Sequence, residues 1–423
     1  MQTFAHVGVP AEVETSLSGL VHPERGIIRD IVTWTADGEP DGLPICATAT
    51  PRHPTDSLCG YGKGLSLNEA VLGAIGEALE IHASSSYDVG KFLRASLDEL
   101  KEDALDPQKL CLYADPYYDL PGFPYCRFHR SQAIHWTSGR RLHTGEAVCV
   151  PALPVFSKLL VPAEERFCQV TSNGLAAGAD LNDAAMRATL ELIERDAFML
   201  TWYCRLSAQE LDVEGALEPG AEMVLEMIRQ QGALIRFYLL DAGIHVPTVL
   251  CIARGNGKTW PGATLGLGCH WSLRTAVRKA VMELGQTGPD FCRAMISGDE
   301  FIPKSPSDVQ TFRQHGLFYL PAERNGEFDF LHDGKPPLRV RDVCEPEEMS
   351  LALLAERLRS AGVRVTIVDL TTAALHDSGF SVVRALGENM QQIHCGFGRE
   401  RLNNPRLQSL LQGPVNFAIP PVC

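Results

Sequence analysis

The stretch Leu181–Ala197, LNDAAMRATLELIERDA, decides the fold, because two other parts of the chain repeat its spacing. Leu67–Ala83, LNEAVLGAIGEALEIHA, matches it without gaps at one Leu, one Asn, two Ala, two Glu and the final Ala. Leu273–Gln286, LRTAVRKAVMELGQ, keeps the Leu, both Ala and the first Glu, and has Gln at the second acidic position. Copies this far apart do not form a solenoid. They predict three equivalent helices brought to one place.

Each copy places small residues and acids along one helix face. Residues three or four apart share a face, so Ala70, Gly73 and Ala74 form a stripe with Glu77, and Glu80 lies beside it. The second copy repeats the stripe with Ala184, Ala188 and Glu191, and Glu194 lies beside it. Small side chains permit close backbone approach, so we expect the helices to converge at these acids. Helix N-caps are predicted at Ser66 and Asp180.

Carboxylates next to a close-packed seam are costly unless something neutralises them. Mg²⁺ prefers oxygen ligands, often one or two carboxylates together with phosphate oxygens and water. A single E-x-x-E on a helix usually belongs to a solvated face, but three copies with one spacing favour the ligand interpretation. The pattern therefore predicts magnesium ions that in turn hold a nucleoside triphosphate, with four metal ligands: Glu77, Glu80, Glu191 and Glu194.

The segments before the first two helices are rich in glycine. GYGKG includes Lys63, and SNGLAAG includes Ser172 and Asn173. We interpret both segments as loops whose backbone N–H groups cradle phosphate ahead of a helix start. Neither is a P-loop, which needs G-x-x-x-x-G-K-(S/T).

Composition excludes several classes of function. The 423 residues carry a net charge of −14, which argues against broad nucleic-acid or anionic-membrane binding. The N-terminus lacks the pattern of a signal peptide, and no apolar run is long enough to cross a membrane. The 13 cysteines include no C-x-x-C pair, which favours reduced, mostly buried thiols in a cytoplasmic protein.

Strand and helix patterns alternate throughout, so we predict a mixed α/β (α+β) fold in which helices pack on mixed sheets. No clear linker interrupts the chain. We therefore expect residues 1–423 to form a single catalytic domain. The polar, Pro- and Gly-broken segment 287–337 is interpreted as a long excursion, and residues 414–423 as a proline-containing tail.

The segments GYGKGLSLNEAVLGAIGEALE and SNGLAAGADLNDAAMRATLELIERDA resemble the YcaO family. The resemblance extends over most of the chain and includes LVHPERGIIRDI, VPTVLCIARG, VTIVDLT and HCGFGRERL. It implies the fold of that family, with a central ATP and Mg²⁺ site built from the repeated helices. It also implies an ATP- and Mg²⁺-dependent enzyme that acts on peptide backbone amides.

The resemblance also assigns residues. Glu77, Glu80, Glu191 and Glu194 correspond to the family's metal ligands, and Glu194 and Arg195 to catalytic positions. It implies that the nucleotide contacts Lys63, Ser172, Asn173, Arg195, Lys279, Glu283 and Gln286.

The sequence departs from the family at four places. Gly73 replaces the usual Ser and Ile81 the usual Arg of the first acidic motif. Lys279 stands where Arg is usual, with Arg278 adjacent, and Lys lacks the bidentate grip of Arg. Azoline-forming members often end in alternating prolines that reach the active site. This chain ends FAIPPVC, and by that resemblance Pro421 and Cys423 are candidate catalytic residues.

The resemblance implies a cyclodehydratase that makes thiazolines or oxazolines from Cys, Ser or Thr of a ribosomally made precursor peptide, as in thiazole/oxazole-modified bacteriocins. A leader-binding partner resembling the ubiquitin-activating-enzyme superfamily would present the peptide, and a homodimer is expected. Thioamide or macroamidine formation is an alternative use of the same activation. A non-catalytic accessory protein is another.

Overall fold

The computed structural model describes residues 19–36, 38, 42–52, 58–101, 104–345 and 350–422. Its strands are β1 (Ile28–Thr35), β2 (Ile45–Pro51), β3 (Gly60–Gly64), β4 (Leu93–Ala95), β5 (Ile134–Arg141), β6 (Ala147–Pro151), β7 (Leu175–Gly178), β8 (Gln209–Asp212), β9 (Leu234–Leu240), β10 (Thr248–Arg254), β11 (Ala263–Cys269), β12 (Leu338–Arg339), β13 (Arg364–Asp369) and β14 (Ser381–Glu388). Its α-helices are α1 (Leu67–Ser85), α2 (Leu97–Leu100), α3 (Asp115–Tyr118), α4 (Leu181–Cys204), α5 (Pro219–Gln230), α6 (Leu273–Ser297), α7 (Phe312–Leu317), α8 (Leu351–Ser360), α9 (Ala373–Asp377) and α10 (Pro405–Leu410).

The described strands form three sheets, and the mixed fold is confirmed. One sheet has the order β1-β2-β3, the second β11-β10-β9-β8-β12, and the third β4-β5-β13-β14-β7 with β6 paired to β5. Neighbouring strands are antiparallel except β12, which runs parallel to β8. None of the helices in the described ranges is long and apolar enough to cross a membrane.

The three repeats are helices, as predicted, and each begins directly after a strand. The units are β3–α1, β7–α4 and β11–α6. Ser66 caps α1 by accepting a hydrogen bond from the N–H of Glu69, and Asp180 caps α4 by accepting from Asn182 and Asp183. These caps satisfy N–H groups that have no partner within the helix. The repeated element is therefore a strand–helix unit.

The prediction of Gly-rich loops was wrong, because GYGKG is strand β3 and part of SNGLAAG is strand β7. Every second residue of β3 is a glycine that lies directly on α1. A Cβ atom at Gly60 would come within 2.2 Å of the Ala74 carbonyl oxygen, and one at Gly62 within 1.8 Å of that of Ala70. Gly268 meets α6 in the same way, at 2.1 Å from the carbonyl oxygen of Ala276.

These contacts also change the role of the small residues. The alanine stripe of α1 packs against the glycines of its own strand, and the one in α6 does the same. The close backbone approach predicted from the small residues is present, and its partner is the strand of the same unit. Strand and helix backbones need the close approach, and only glycine on one side and alanine on the other permit it.

The three units form a closed ring. Strand β7 packs against its own helix α4 and against α1, β11 against α6 and α4, and β3 against α1 and α6. Each helix therefore lies between its own strand and the strand of another unit. The arrangement brings corresponding positions of the three helices towards one centre.

The predicted excursion at 287–337 begins later than expected, because α6 continues through Pro289 to Ser297. The rest contains α7 and two 3₁₀ segments, Pro306–Asp308 and Ala322–Leu331. It contributes Tyr319, Phe328 and Leu331 to the core beside α4. A short-range polar pattern does not reveal which of its few apolar residues become buried.

Candidate active site

The first acid of each repeat is held by the backbone of its own unit. Glu77 accepts a hydrogen bond from the N–H of Tyr61 at 2.7 Å. Glu191 accepts from Gly174 at 3.1 Å, and Glu283 from Leu267 at 3.0 Å. In all three cases the donor lies on, or directly before, the strand that precedes the helix. The repeat therefore includes a backbone contact that orients one carboxylate oxygen.

In α1 and α4 the second acid of the repeat lies close to the next unit of the ring. Glu80 of α1 accepts a hydrogen bond from the N–H of Ala177 in β7, at 2.8 Å. Glu194 of α4 is buried. Burial and the nearby negative charge of Glu194 both raise the pKa of the Cys269 thiol at the end of β11. Gln286 of α6 is half-buried. The second acids thus lie between units.

The carboxylates repel one another. Burial raises the pKa of Glu80 well above its ordinary value, and the negative charges of Glu77 and Glu191 raise it further. Burial raises the pKa of Glu191 to about 7, although the positive charge of Arg195 lowers it. Burial also raises the pKa of Glu77 and of Glu194. The acids of α1 and α4 therefore form one electrostatic cluster that a cation would stabilise.

Three basic side chains predicted from the sequence surround the cluster. The Nε atom of Arg195 lies 4.0 Å from Oε1 of Glu191 and 3.9 Å from Oε1 of Glu194. The charges of Lys63 and Lys279 both lower the pKa of Glu194, from different units. Lys279 donates to the carbonyl oxygen of Cys269 at 3.1 Å. Positive charge therefore reaches the acids from β3, α4 and α6.

Arg384 is a site residue that sequence reasoning missed. It is 1 % exposed on β14, and its Nη1 atom donates to the carbonyl oxygens of Thr171 at 3.0 Å and Asn173 at 2.9 Å. Burial lowers the pKa of Arg384 to about 10, whereas Glu191 and Glu80 raise it. The sequence feature that could have identified Arg384 is an arginine inside the apolar run SVVRALG, because a charge buried there requires a partner.

The segment before β7 presents a polar group without a protein partner. Asn173 is 4 % exposed, and within the described part of the chain neither its Oδ1 nor its Nδ2 atom has a hydrogen bond. Its neighbour Ser172 is exposed. A buried amide with no partner is costly. Asn173 is therefore available to a bound polar group, and its contact with a nucleotide stays a prediction.

Arg278 does not belong to the cluster, although it is adjacent to Lys279. Its guanidinium pairs with Glu218 and, at 2.8 Å, with Glu69. Of the two neighbouring basic residues, only Lys279 faces the central acids.

We expect Lys279→Met to raise the KM for ATP about tenfold, since a hydrogen bond to a charged group contributes about 1.5–3 kcal/mol. The matched variant Arg278→Met should change this KM less than about twofold, because only surface ion pairs are lost. ATP consumption measured over a range of ATP concentrations separates the two. Equal effects would contradict the assignment of Lys279.

The tail lies at the far end of α4. Pro421 is buried there, and Cys423 lies outside the described residues. Trp202, eight residues after Glu194, donates to the carbonyl oxygen of Ala418. At about 1.5 Å per residue this is roughly 12 Å along the helix. The catalytic assignments of Pro421 and Cys423 remain predictions.

The acids fit Mg²⁺ bound together with a triphosphate. Among the described residues, no group of three or more His, Cys, Asp and Glu side chains forms a ready-made metal site. Mg²⁺ does not require one, because it usually takes one or two carboxylates and completes its shell with phosphate oxygens and water. Four clustered carboxylates, three of them oriented by backbone N–H groups, with basic residues beside them match that requirement.

Comparison with known proteins identifies relatives of the chain. Residues 61–391 match the family model of YcaO cyclodehydratases, which is described as ATP- and Mg²⁺-binding. An uncharacterised protein of Methanothermobacter thermautotrophicus is 27% identical over 358 residues, covering 82% of this chain and 85% of that protein.

Solved structures share the fold. A heterocyclase in complex with substrate and cofactor has a TM-score of 0.79 at 23% identity, covering 99% of this chain. This chain spans only 58% of that heterocyclase. YcaO from Methanopyrus kandleri, bound with AMPPCP and Mg²⁺, has a TM-score of 0.63 at 20% identity, covering 90% of this chain and 88% of that one.

Proposed function

The chain belongs to the YcaO family, and from this premise we propose that it is a cyclodehydratase that uses ATP and Mg²⁺ to activate a backbone amide of a precursor peptide. ATP and Mg²⁺ are the ligands of the family. The observation that carries the proposal is that α1 and the β7–α4 unit meet at their acids. Glu80 of α1 accepts a hydrogen bond from the N–H of Ala177 in β7 at 2.8 Å, and burial, together with the charges of Glu77 and Glu191, raises its pKa.

The reaction requires an amide oxygen to leave. A Cys, Ser or Thr side chain of the peptide attacks the preceding carbonyl carbon and loses its proton. ATP would supply the phosphoryl group that turns the resulting oxygen into a leaving group, and bound Mg²⁺ would supply positive charge to the phosphates. Departure of phosphate, with loss of the proton on the amide nitrogen, forms the C=N bond of a thiazoline or oxazoline, and the peptide has lost the atoms of one water.

The protein's part is positioning and charge neutralisation. In this proposal Glu77, Glu80, Glu191 and Glu194 hold the magnesium ions. Lys63, Arg195 and Lys279 balance the phosphates, and Asn173 takes a polar group of the nucleotide, with Ser172, Glu283 and Gln286 beside it. Backbone N–H bonds fix the first acids beforehand, so little reorganisation is needed during reaction.

Delivery of the peptide completes the proposal. A leader-binding protein resembling the ubiquitin-activating-enzyme superfamily would bring the precursor to the site, and the chain would act as a homodimer. Both partners are inferred from the family.

Mass spectrometry tests this function. The protein is co-expressed with each short open reading frame beside its gene and with adjacent candidate partner genes, and the peptides are analysed. We expect the loss of one water per modified residue, at Cys, Ser or Thr, and no loss in a Glu194→Gln variant. Replacement of oxygen by sulfur would identify a thioamide-forming enzyme instead. Ring closure by a distant amine would identify macroamidine formation, and unchanged peptides with intact ATP binding an accessory protein.

A further inference from the structure

The C-terminal segment 416–422 is held by its backbone. Three consecutive carbonyl oxygens accept hydrogen bonds from three aromatic rings: Ala418 from Trp202 at 2.8 Å, Ile419 from the hydroxyl of Tyr319, and Pro420 from His315 at 2.8 Å. Ile419 and Val422 are each 1 % exposed. Proline has no N–H group to donate, so a carbonyl contact suits this part of the tail.

The hydrogen bonds of His315 fix its tautomer. Its Nε2 atom accepts a hydrogen bond from the N–H of Gly396 at 3.0 Å. Nδ1 therefore carries the proton and donates to Pro420. His315 is fully buried, and its ring packs edge-on against that of His394 at 5.8 Å. One imidazole thus links the tail to the loop that contains Gly396.

That loop and the tail both adjoin elements of the acidic cluster. Gln169, four residues before Asn173, exchanges hydrogen bonds with the backbone of Cys395 at 2.8 and 3.0 Å. The side chain of Asn416 donates to the carbonyl oxygen of Trp202, and its backbone N–H donates to that of Tyr203 at 2.8 Å. These two carbonyls end α4, the helix that carries Glu191 and Glu194.

We propose that His315 is a positioning residue, which sets the place of the tail relative to α4 and the Gly396 loop by recognising the Pro420 carbonyl. The three ring donors recognise backbone rather than side chains. These backbone contacts therefore hold the end of the tail in place although its prolines do not alternate. The consequence for product formation rests on the proposed function.

Two substitutions separate the bonds of His315. In His315→Asn the amide nitrogen replaces Nδ1 and can still donate to Pro420, whereas the bond with Gly396 is lost. In His315→Gln the amide oxygen replaces Nε2 and can still accept from Gly396, whereas the bond to the tail is lost. Tyr319→Phe is a smaller change that removes only the donor to Ile419.

Hydrogen–deuterium exchange in the full-length protein tests the proposal. A peptide covering 416–422 should exchange about tenfold faster in His315→Gln, and faster also in Tyr319→Phe, whereas His315→Asn should stay within about threefold of the wild-type rate. A peptide from α1 is the internal control and should not change. A wild-type rate in His315→Gln, or equal acceleration in the Asn and Gln variants, would overturn the proposal.

Enzyme kinetics supply the second readout. His315→Gln should lower product formation about tenfold with the KM for ATP unchanged, and His315→Asn should restore most of the product. If product formation fell equally in His315→Gln and His315→Asn, His315 would have only a structural role. If the wild-type protein makes no product, the proposed function has failed, and the exchange result still decides the role of His315.

Discussion

Glu191→Gln is expected to lower Mg²⁺-dependent ATP consumption at least about 100-fold, the usual scale for removing one electrostatic group from an active site. The substitution keeps the shape of the side chain and an oxygen that can accept from Gly174. It removes the negative charge that the metal ion requires. Phosphate release at saturating Mg²⁺ and ATP measures the effect.

The same variant should be more stable than the wild-type protein when Mg²⁺ and ATP are absent. The pKa of Glu191 is about 7 in the folded protein, against an ordinary value of 4.5. Between these values the folded state holds a proton that the unfolded state has released, so wild-type stability falls as pH rises. We expect Glu191→Gln to add little stability at about pH 4.5 and about 2 kcal/mol above about pH 8, allowing for partial exposure.

Thermal unfolding from about pH 5 to about pH 8, with and without Mg²⁺ and ATP, checks this. The control is Glu226→Gln, an exposed glutamate on α5 that should alter stability by less than about 0.5 kcal/mol. The role of Glu191 would be contradicted if the difference in melting temperature between Glu191→Gln and the wild-type protein did not widen as pH rises. It would also be contradicted if Glu191→Gln consumed ATP at the wild-type rate.

Gly62→Ala is expected to prevent folding. The added Cβ would lie 1.8 Å from the Ala70 carbonyl oxygen and 2.4 Å from the Ala74 nitrogen, both backbone atoms of a helix. Neither atom can move without separating β3 from α1. The cost should exceed about 4 kcal/mol, a loss seen only where a substitution breaks a defined structural feature. Soluble yield, circular dichroism and thermal unfolding measure it.

Gly76→Ala is the matched control. It adds the same methyl group to the middle of α1, where the nearest atom is the Cβ of Ala177 at an ordinary 3.7 Å. Alanine is favoured over glycine in a helix by up to about 1 kcal/mol, so this variant should be unchanged or more stable. A well-folded Gly62→Ala protein would show that strand and helix do not need their close contact.

The helices and their caps could be predicted from the sequence because they depend on local spacing. The period of small residues identified the three repeats, and Ser66 and Asp180 identified two helix starts. The same spacing could not reveal what the small face contacts. Ala70 and Ala74 are equally suited to a neighbouring helix and to a glycine strand, and only the structure shows the strand.

Contacts between distant segments were the part of the site that could not be predicted. Arg384 is far from the acids in sequence, and it reaches them because β14 pairs with β7. The separate roles of Arg278 and Lys279 also depend on tertiary structure. Adjacent residues point in different directions from α6, so Arg278 faces Glu69 while Lys279 faces the central acids. The bond from Ala177 to Glu80 likewise exists only because the units close into a ring.

A crystal structure of the protein with Mg²⁺ and a non-hydrolysable ATP analogue tests the central claim most directly. The account predicts magnesium ions held between the triphosphate and carboxylates from both α1 and α4, among Glu77, Glu80, Glu191 and Glu194. It also predicts Lys63, Arg195 and Lys279 around the phosphates. Nucleotide bound elsewhere on the chain, or magnesium that touches no carboxylate of these two helices, would contradict it.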